Sequence, residues 1–179
     1  FLPGAGDIGA ALCGHAQAAG VVFTGSTEVA RLIQKQLAPR GAVPLIAETG
    51  GINAMIVDSS ALTEQVVADV VASAFDSAGQ RCSALRVLCL QDDVAERATL
   101  MLVGAMRELR LGATERLATD VGPVIDEDAR AAIEAHIETM RKAGHRVHRP
   151  LPLDAAALAH GCFVAPALIE LASIGELER

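Results

Sequence analysis

The stretch Val21-Val22-Phe23-Thr24-Gly25-Ser26-Thr27-Glu28-Val29-Ala30 runs a strand signal, a turn and a helix start together without a gap. Val21 to Phe23, bounded by Gly20 and Gly25, reads as a short buried strand. Ser26 can cap the following helix, in which Val29, Ala30, Ile33 and Leu37 fall on one face until Pro39-Arg40-Gly41 ends it. Pro44 to Ala47 is again strand-like, and Glu48-Thr49-Gly50-Gly51 breaks it. Upstream, the Ala-rich run Ile8 to Ala19 is a helix by propensity. The order helix, strand, helix, strand is the rhythm of a parallel sheet covered by helices, so the fold class is α/β.

Downstream the rhythm continues. Ala54 to Val57 reads as a strand, Asp58-Ser59-Ser60 as a turn, and Thr63 to Phe75 as a helix with Val66, Val67, Val70, Val71 and Ala74 inward. Leu85 to Leu90 is the next strand, followed by amphipathic helices over Asp93 to Leu109 and Asp126 to Lys142, each opened by an acid that suits the positive helix end. Gly144 stops the second, Arg146 to His148 is extended, Pro150 to His160 is a loop with a helical turn, and Phe163 to Leu171 is a late strand. The paired glycines Gly50-Gly51 permit the backbone angles by which a chain leaves one sheet for another, and divide it into residues 1–51 and 52–179.

The chain has 179 residues, 51% hydrophobic and 21% charged, enough for a real core. No apolar stretch reaches the roughly 20 residues of a membrane span, and no basic region precedes a signal core, so neither membrane nor export is expected. A net charge of -7, with no Trp or Tyr to stack bases, excludes a nucleic-acid partner. Cys13, Cys82, Cys89 and Cys162 form no CxxC pair, which points away from zinc or any metal and toward reduced thiols in the cytoplasm. Phe1-Leu2-Pro3 reads as the tail of a strand, as in a piece of a larger protein.

Several residues could carry chemistry. Gly4-Ala5-Gly6-Asp7-Ile8-Gly9 satisfies GxGxxG but lacks a full preceding strand, and reads as a loop entering a helix. At Gly25-Ser26, free N–H groups of a helix start can accept a phosphate; a plain capped helix is the alternative. Glu48, at a strand end beside glycines, is either a solvated carboxylate or, in a cleft, a base. Cys13, Cys89 and Cys162 read as packing. Cys82 differs, because Gly79, Gln80, Arg81 and Ser83 make a polar loop where a thiol is accessible, and a neighbouring arginine favours the thiolate. A Cys-His hydrolase is the competing reading, although His15, His136, His145, His148 and His160 show no local signature tying them to the cysteine.

Taken in order, PGAG, FTGSTEVA, ETGGINAMIV, SAGQRCSALR and DVGPVID resemble the aldehyde dehydrogenase superfamily. The 34 residues from Glu48 to Cys82 are similar to that family's spacing of base and nucleophile. AETGG, FDSAGQRCSALR and NAMIVDSSAL narrow the resemblance to the 1-pyrroline-5-carboxylate dehydrogenase module of the bifunctional proline utilization A proteins. The resemblance implies that Cys82 attacks the aldehyde carbon and that Glu48 activates the water that hydrolyses the thioester. It also implies NAD as cofactor, with Gly25 and Ser26 at its pyrophosphate and Gly50 beside the nicotinamide end. The implied substrate is glutamate semialdehyde, with Arg81 and Ser83 as contacts to its polar end, and the implied association is a homodimer or a larger bifunctional chain. Residues 1–51 would then be the C-terminal part of the NAD-binding domain, and 52–179 the N-terminal and central part of the catalytic domain.

Two positions depart from the family pattern: Ile52 replaces the polar residue usual after ETGG, and the glycine loop at residues 6–9 is one residue shorter. The family's oxyanion-hole asparagine, its ribose-binding lysine and its second glutamate motif find no match, so the chain is expected to be incomplete at both ends. An inactive remnant or scaffold of the same fold is the alternative to an enzyme, and a cofactor-independent thiol hydrolase using Cys82 the third reading.

Overall fold

The computed structural model describes residues 1–151 and 161–177. They belong to two compact units, Phe1–Gly51 and Ile52–Arg179.

In the first unit, β1 (Val21–Gly25) and β2 (Leu45–Thr49) pair in parallel, from Val21 opposite Leu45 to Gly25 opposite Thr49. Between them runs α2 (Thr27–Leu37), whose buried stripe is Ala30, Ile33 and Leu37. Val29, expected on that face, is exposed, because the stripe at positions i, i+3 and i+7 leaves it on the flank. Nor are the strands buried on both faces as their apolar character implied. Val22 and Ile46, cross-strand partners, are 80% and 58% exposed, since α2 covers only the opposite face.

The first helix, α1 (Gly6–Gly14), stops at Gly14 rather than Ala19. His15 turns extended, with ψ 135°, and the Arg40 guanidinium supplies partners for the carbonyls of Cys13, Ala16 and Ala18 at 3.0, 3.1 and 2.8 Å. An arginine reached through the fold thus replaces the next helical turn for carbonyls that would otherwise want partners.

In the second unit, β3 (Asn53–Val57) and β4 (Leu85–Leu90) pair in parallel with a register shift. Asn53 faces Leu85 but Ala54 faces Val87, leaving Arg86 as the extra, bulged residue on β4. Connecting them is α3 (Thr63–Phe75), with the bounds its periodicity gave, and it packs on α4 (Asp92–Glu108). Their shared core is Val70, Leu85, Leu102 and Met106, with Met55, Val66, Val67, Val71 and Ala74 against it. Burying each large aliphatic side chain here contributes about 1.5–3 kcal/mol. At the end of α4, Leu109 is extended rather than helical.

The last helix, α5 (Glu127–Lys142), is capped by the Asp126 carboxylate, which accepts from the Ala129 N–H at 2.8 Å. It leads to β5 (Arg146–His148), antiparallel to β6 (Leu168–Glu170). The strand expected over Phe163 to Leu171 is reduced to β6 because Pro166 has no N–H to give a ladder, and because the Cys162 carbonyl accepts instead from the Val124 N–H at 2.8 Å. The helical turn expected before His160 lies outside the described residues.

Candidate active site

The Cys82 loop is built by a backbone reversal. After α3, residues Asp76–Gly79 form one tight turn in which Ser77, Ala78 and Gly79 all take left-handed angles, at φ 56°, 52° and 67°. Ser77 and Ala78 are the non-glycine residues with positive φ among the described residues, and side chains occupy that region at a cost of about 1–2 kcal/mol each. A Cβ on Gly79 would stand 2.7 Å from the Ala74 carbonyl oxygen and 3.0 Å from Arg86 Nη1, so only glycine fits. The reversal leaves Arg81, Cys82 and Ser83 exposed, while Ala84 and Leu85 dive into the core. Cys82 is the exposed cysteine; Cys13, Cys89 and Cys162 are partly buried, and all four are free thiols.

Three side chains hold this loop by its main chain. Arg86 Nη2 donates to the Gly79 carbonyl at 2.7 Å. Asn53 Nδ2 donates to the Cys82 carbonyl at 2.7 Å and the Ala84 carbonyl at 3.0 Å. Gln80 donates to the carbonyls of Ser77 at 3.1 Å and Pro123 at 3.2 Å, and accepts from the Ile125 N–H at 2.8 Å. Sequence reasoning assigned no role to Asn53 or Arg86, and gave Gln80 only a place in the polar loop. Gln80 and Arg86 lie inside the SAGQRCSALR motif and Asn53 opens β3, but each acts on backbone that only the fold brings within reach.

Arg81, beside the thiol in sequence, has a partner of its own. Its Nη2 donates to the Ala72 carbonyl of α3 at 3.0 Å, which ties the guanidinium to the helix. Ser83 remains on the exposed tip. An open groove of about 540 Å³ lies between α3 and α4, lined by Val67, Val71, Asp76 and Leu109, and Cys82 takes no part in it.

In the first unit, the parallel pair gathers the other expected residues at its carboxyl edge, the edge at which open α/β sheets bind ligands. Gly25 ends β1, Ser26 caps α2, Glu48 lies on β2 opposite Thr24, and Gly50 follows β2. Glu48 is thus within the strand and exposed, not in the turn after it. Gly25 is exposed, but a Cβ there would come within 2.4 Å of the Phe23 ring. Gly50 faces open space.

The Ser26 hydroxyl accepts from the Val29 N–H at 3.2 Å, so the serine serves as a helix cap. Glu28 sits in the same first turn. Its own backbone N–H, and then the Ser26 side chain, hold its carboxyl below the usual carboxylate range. That helix start therefore already stabilises one negative charge, the Glu28 carboxylate, beside the exposed Gly25 and Ser26. In the GxGxxG stretch, by contrast, Gly4 serves local packing, since a Cβ would meet the Ile8 side chain at 2.5 Å.

The histidines are engaged elsewhere: His15 Nδ1 accepts from the Gln17 N–H at 3.2 Å, His148 pairs with Glu170, and His145 stands 3.7 Å from Glu176. His136 lies exposed on α5, and His160 lies outside the described residues. Among the described residues no group of His, Cys, Asp and Glu is arranged to hold a metal ion, and no helix is long and apolar enough to cross a membrane.

A family model, "Aldehyde dehydrogenase family", matches residues 1–173. Among similar proteins, Bifunctional protein PutA of Salmonella typhimurium is 60% identical over 188 residues, covering 100% of this chain and 14% of the relative. The 1-pyrroline-5-carboxylate dehydrogenase of Geobacillus kaustophilus is 35% identical over 150 residues, covering 80% of this chain and 29% of the relative. A crystal structure of a Bradyrhizobium japonicum Proline Utilization A (PutA) mutant superposes with a TM-score of 0.90 at 56% identity, over 97% of this chain and 18% of that one. The chain thus spans a small part of the length of the relatives it matches.

Proposed function

Because this chain belongs to the aldehyde dehydrogenase family, we propose that it carries the nucleophile and the base of an NAD-dependent aldehyde dehydrogenase acting in proline catabolism. The substrate is L-glutamate 5-semialdehyde, the open form of 1-pyrroline-5-carboxylate, and the product is glutamate. The names of the similar PutA and 1-pyrroline-5-carboxylate dehydrogenase proteins support that choice. One observation carries the reading: Cys82 is exposed on a loop whose backbone is bound on both sides of the cysteine.

In the proposed reaction the Cys82 thiolate adds to the aldehyde carbon, and the carbonyl oxygen takes the electron pair as an oxyanion. The backbone N–H of Cys82 donates to that oxyanion, a contribution of about 3 kcal/mol for a well-aimed donor. NAD, when bound with its pyrophosphate at Gly25 and Ser26 and its nicotinamide end at Gly50, supplies the acceptor for the hydride of the tetrahedral carbon. As that hydride leaves, the oxyanion pair re-forms the C=O bond and a thioester remains on Cys82; Glu48 then takes a proton from water, the water oxygen adds to the thioester carbon, and the C–S bond breaks to release glutamate and restore the Cys82 thiolate. Ser83 meets the polar end of the aldehyde, and Arg81 can join it by exchanging its bond to Ala72.

On this reading Phe1–Gly51 is the C-terminal part of the NAD-binding domain, and Ile52–Arg179 the N-terminal and central part of the catalytic domain. A homodimer or a longer bifunctional chain is the proposed assembly, supported by the bifunctional PutA relative. Four free thiols support a cytoplasmic location.

The test uses the full-length gene product with glutamate semialdehyde and NAD. NADH formation is expected, lost in Cys82→Ala; in Glu48→Gln a first turnover persists while steady turnover falls by about 10²–10⁴-fold. Ester hydrolysis that needs Cys82 but yields no NADH would replace the proposal with a thiol hydrolase, and a wild-type protein inert in both assays would leave a scaffold.

A further inference from the structure

We propose that Asn53 is a positioning residue for the Cys82 nucleophile. Its side-chain nitrogen holds the carbonyls of Cys82 and Ala84 at 2.7 and 3.0 Å. The two carbonyls lie on either side of Ser83, so one carboxamide fixes the chain as it leaves the cysteine. Holding the Cys82 carbonyl sets the rotation about its Cα–C bond, and with it the direction of the thiol.

The fold makes this grip specific. The bulge that leaves Arg86 unpaired on β4 falls between the Asn53 and Ala54 pairings. Asn53 therefore sits at the first position of β3, opposite Leu85 where the loop enters β4, and its side chain reaches past the strand end. The same bulge frees Arg86 to hold Gly79 at the other end of the loop. Bulges beside reactive groups re-aim side chains in this way. Both Asn53 bonds are donations, so the requirement is for an N–H donor of this length, which a carboxylate cannot meet.

The inference rests on the proposed role of Cys82, and its test separates the two. In the full-length gene product, Asn53→Ala and the isosteric Asn53→Asp are compared with the parent in three measurements. These are kcat and KM for NADH formation, the iodoacetamide alkylation rate of the Cys82 peptide read by mass spectrometry without substrate, and the melting temperature.

The expected result for Asn53→Ala is a fall of about 10- to 100-fold in kcat, the loss that a displaced reacting group produces, with KM for NAD changed less than two- to threefold. The alkylation rate should change in step, in a protein that still melts cooperatively. Asn53→Asp should be the worse variant at neutral pH, where an ionised carboxylate faces two carbonyls, and its kcat relative to the parent should rise as pH is lowered and a protonated carboxyl restores one donor. A purely structural role would not give that pH-dependent ratio. Folded variants with kcat and alkylation within about twofold of the parent would overturn the positioning role, as would failure of both variants to fold, which would assign the bonds to stability alone. If Cys82→Ala itself retained NADH formation, the function would fall first, and the alkylation rates would still report whether Asn53 aims the thiol.

Discussion

Gly79 concentrates the demands of the Cys82 loop in one residue. It follows two residues already in left-handed angles, and its missing side chain lets the Ala74 carbonyl and the Arg86 guanidinium close in. Gly79→Ala is expected to cost roughly 3 kcal/mol, combining the left-handed penalty with a backbone clash, and to lower the urea midpoint accordingly. Gly9→Ala, within α1 and facing open space, should instead gain about 0.5–1 kcal/mol. Equal midpoints for the two variants would show that the turn is not constrained as described. A second residue-scale prediction concerns Asp58, whose carboxyl is held below its ordinary range by the Ser60 hydroxyl and then the Ser60 N–H. Because the folded value is depressed, the turn contributes fully above the unfolded-state value, and that contribution is lost as pH falls through the folded one. Ser60→Ala should move the Asp58 titration back toward the ordinary range in a carboxyl-detected NMR titration; an unmoved midpoint would remove the hydroxyl as cause.

At the scale of elements, α3 and the strands β4 and β5 were legible with their bounds. The periodic apolar residues of residues 63–75 gave α3 its bounds, since a single face meets a single core. Termini were less legible where the competing partner was distant: α1 ends early because Arg40 reaches its carbonyls, and the late strand shrinks to β6 because Pro166 and the Cys162 carbonyl remove it from the ladder. Helix α4 offers a direct check on how its faces differ. Met106 is fully buried and Leu100 is 74% exposed. Met106→Ala should destabilise by about 2–5 kcal/mol and Leu100→Ala by no more than about 0.5 kcal/mol in denaturant unfolding. Comparable losses at the two positions would contradict the packing of α4 on α3.

At the scale of the whole molecule, the parallel pair of the first unit has one bare face. Val22 and Ile46 form an apolar patch on β1 and β2, and Ile56 on β3 is a further exposed apolar side chain, at 84%. Apolar sheet faces of this kind drive association. The 179-residue chain should therefore self-associate with rising concentration in sedimentation, and Val22→Lys combined with Ile46→Lys should reduce it; a parent that stays monodisperse would count against the bare face.

The sequence by itself determined the family motifs, the order of elements and the exposure of Cys82 in its polar loop, because all of these are written in neighbouring residues or helical periods. Only the tertiary structure decided that Asn53 and Arg86 grip the Cys82 loop, that Gln80 ties it to Pro123 and Ile125, and that Arg81 turns to Ala72. The physical reason is that a backbone carbonyl is the same acceptor at every residue: which side chain satisfies it depends on register and on a single-residue bulge, and neither leaves a periodic trace in the chain.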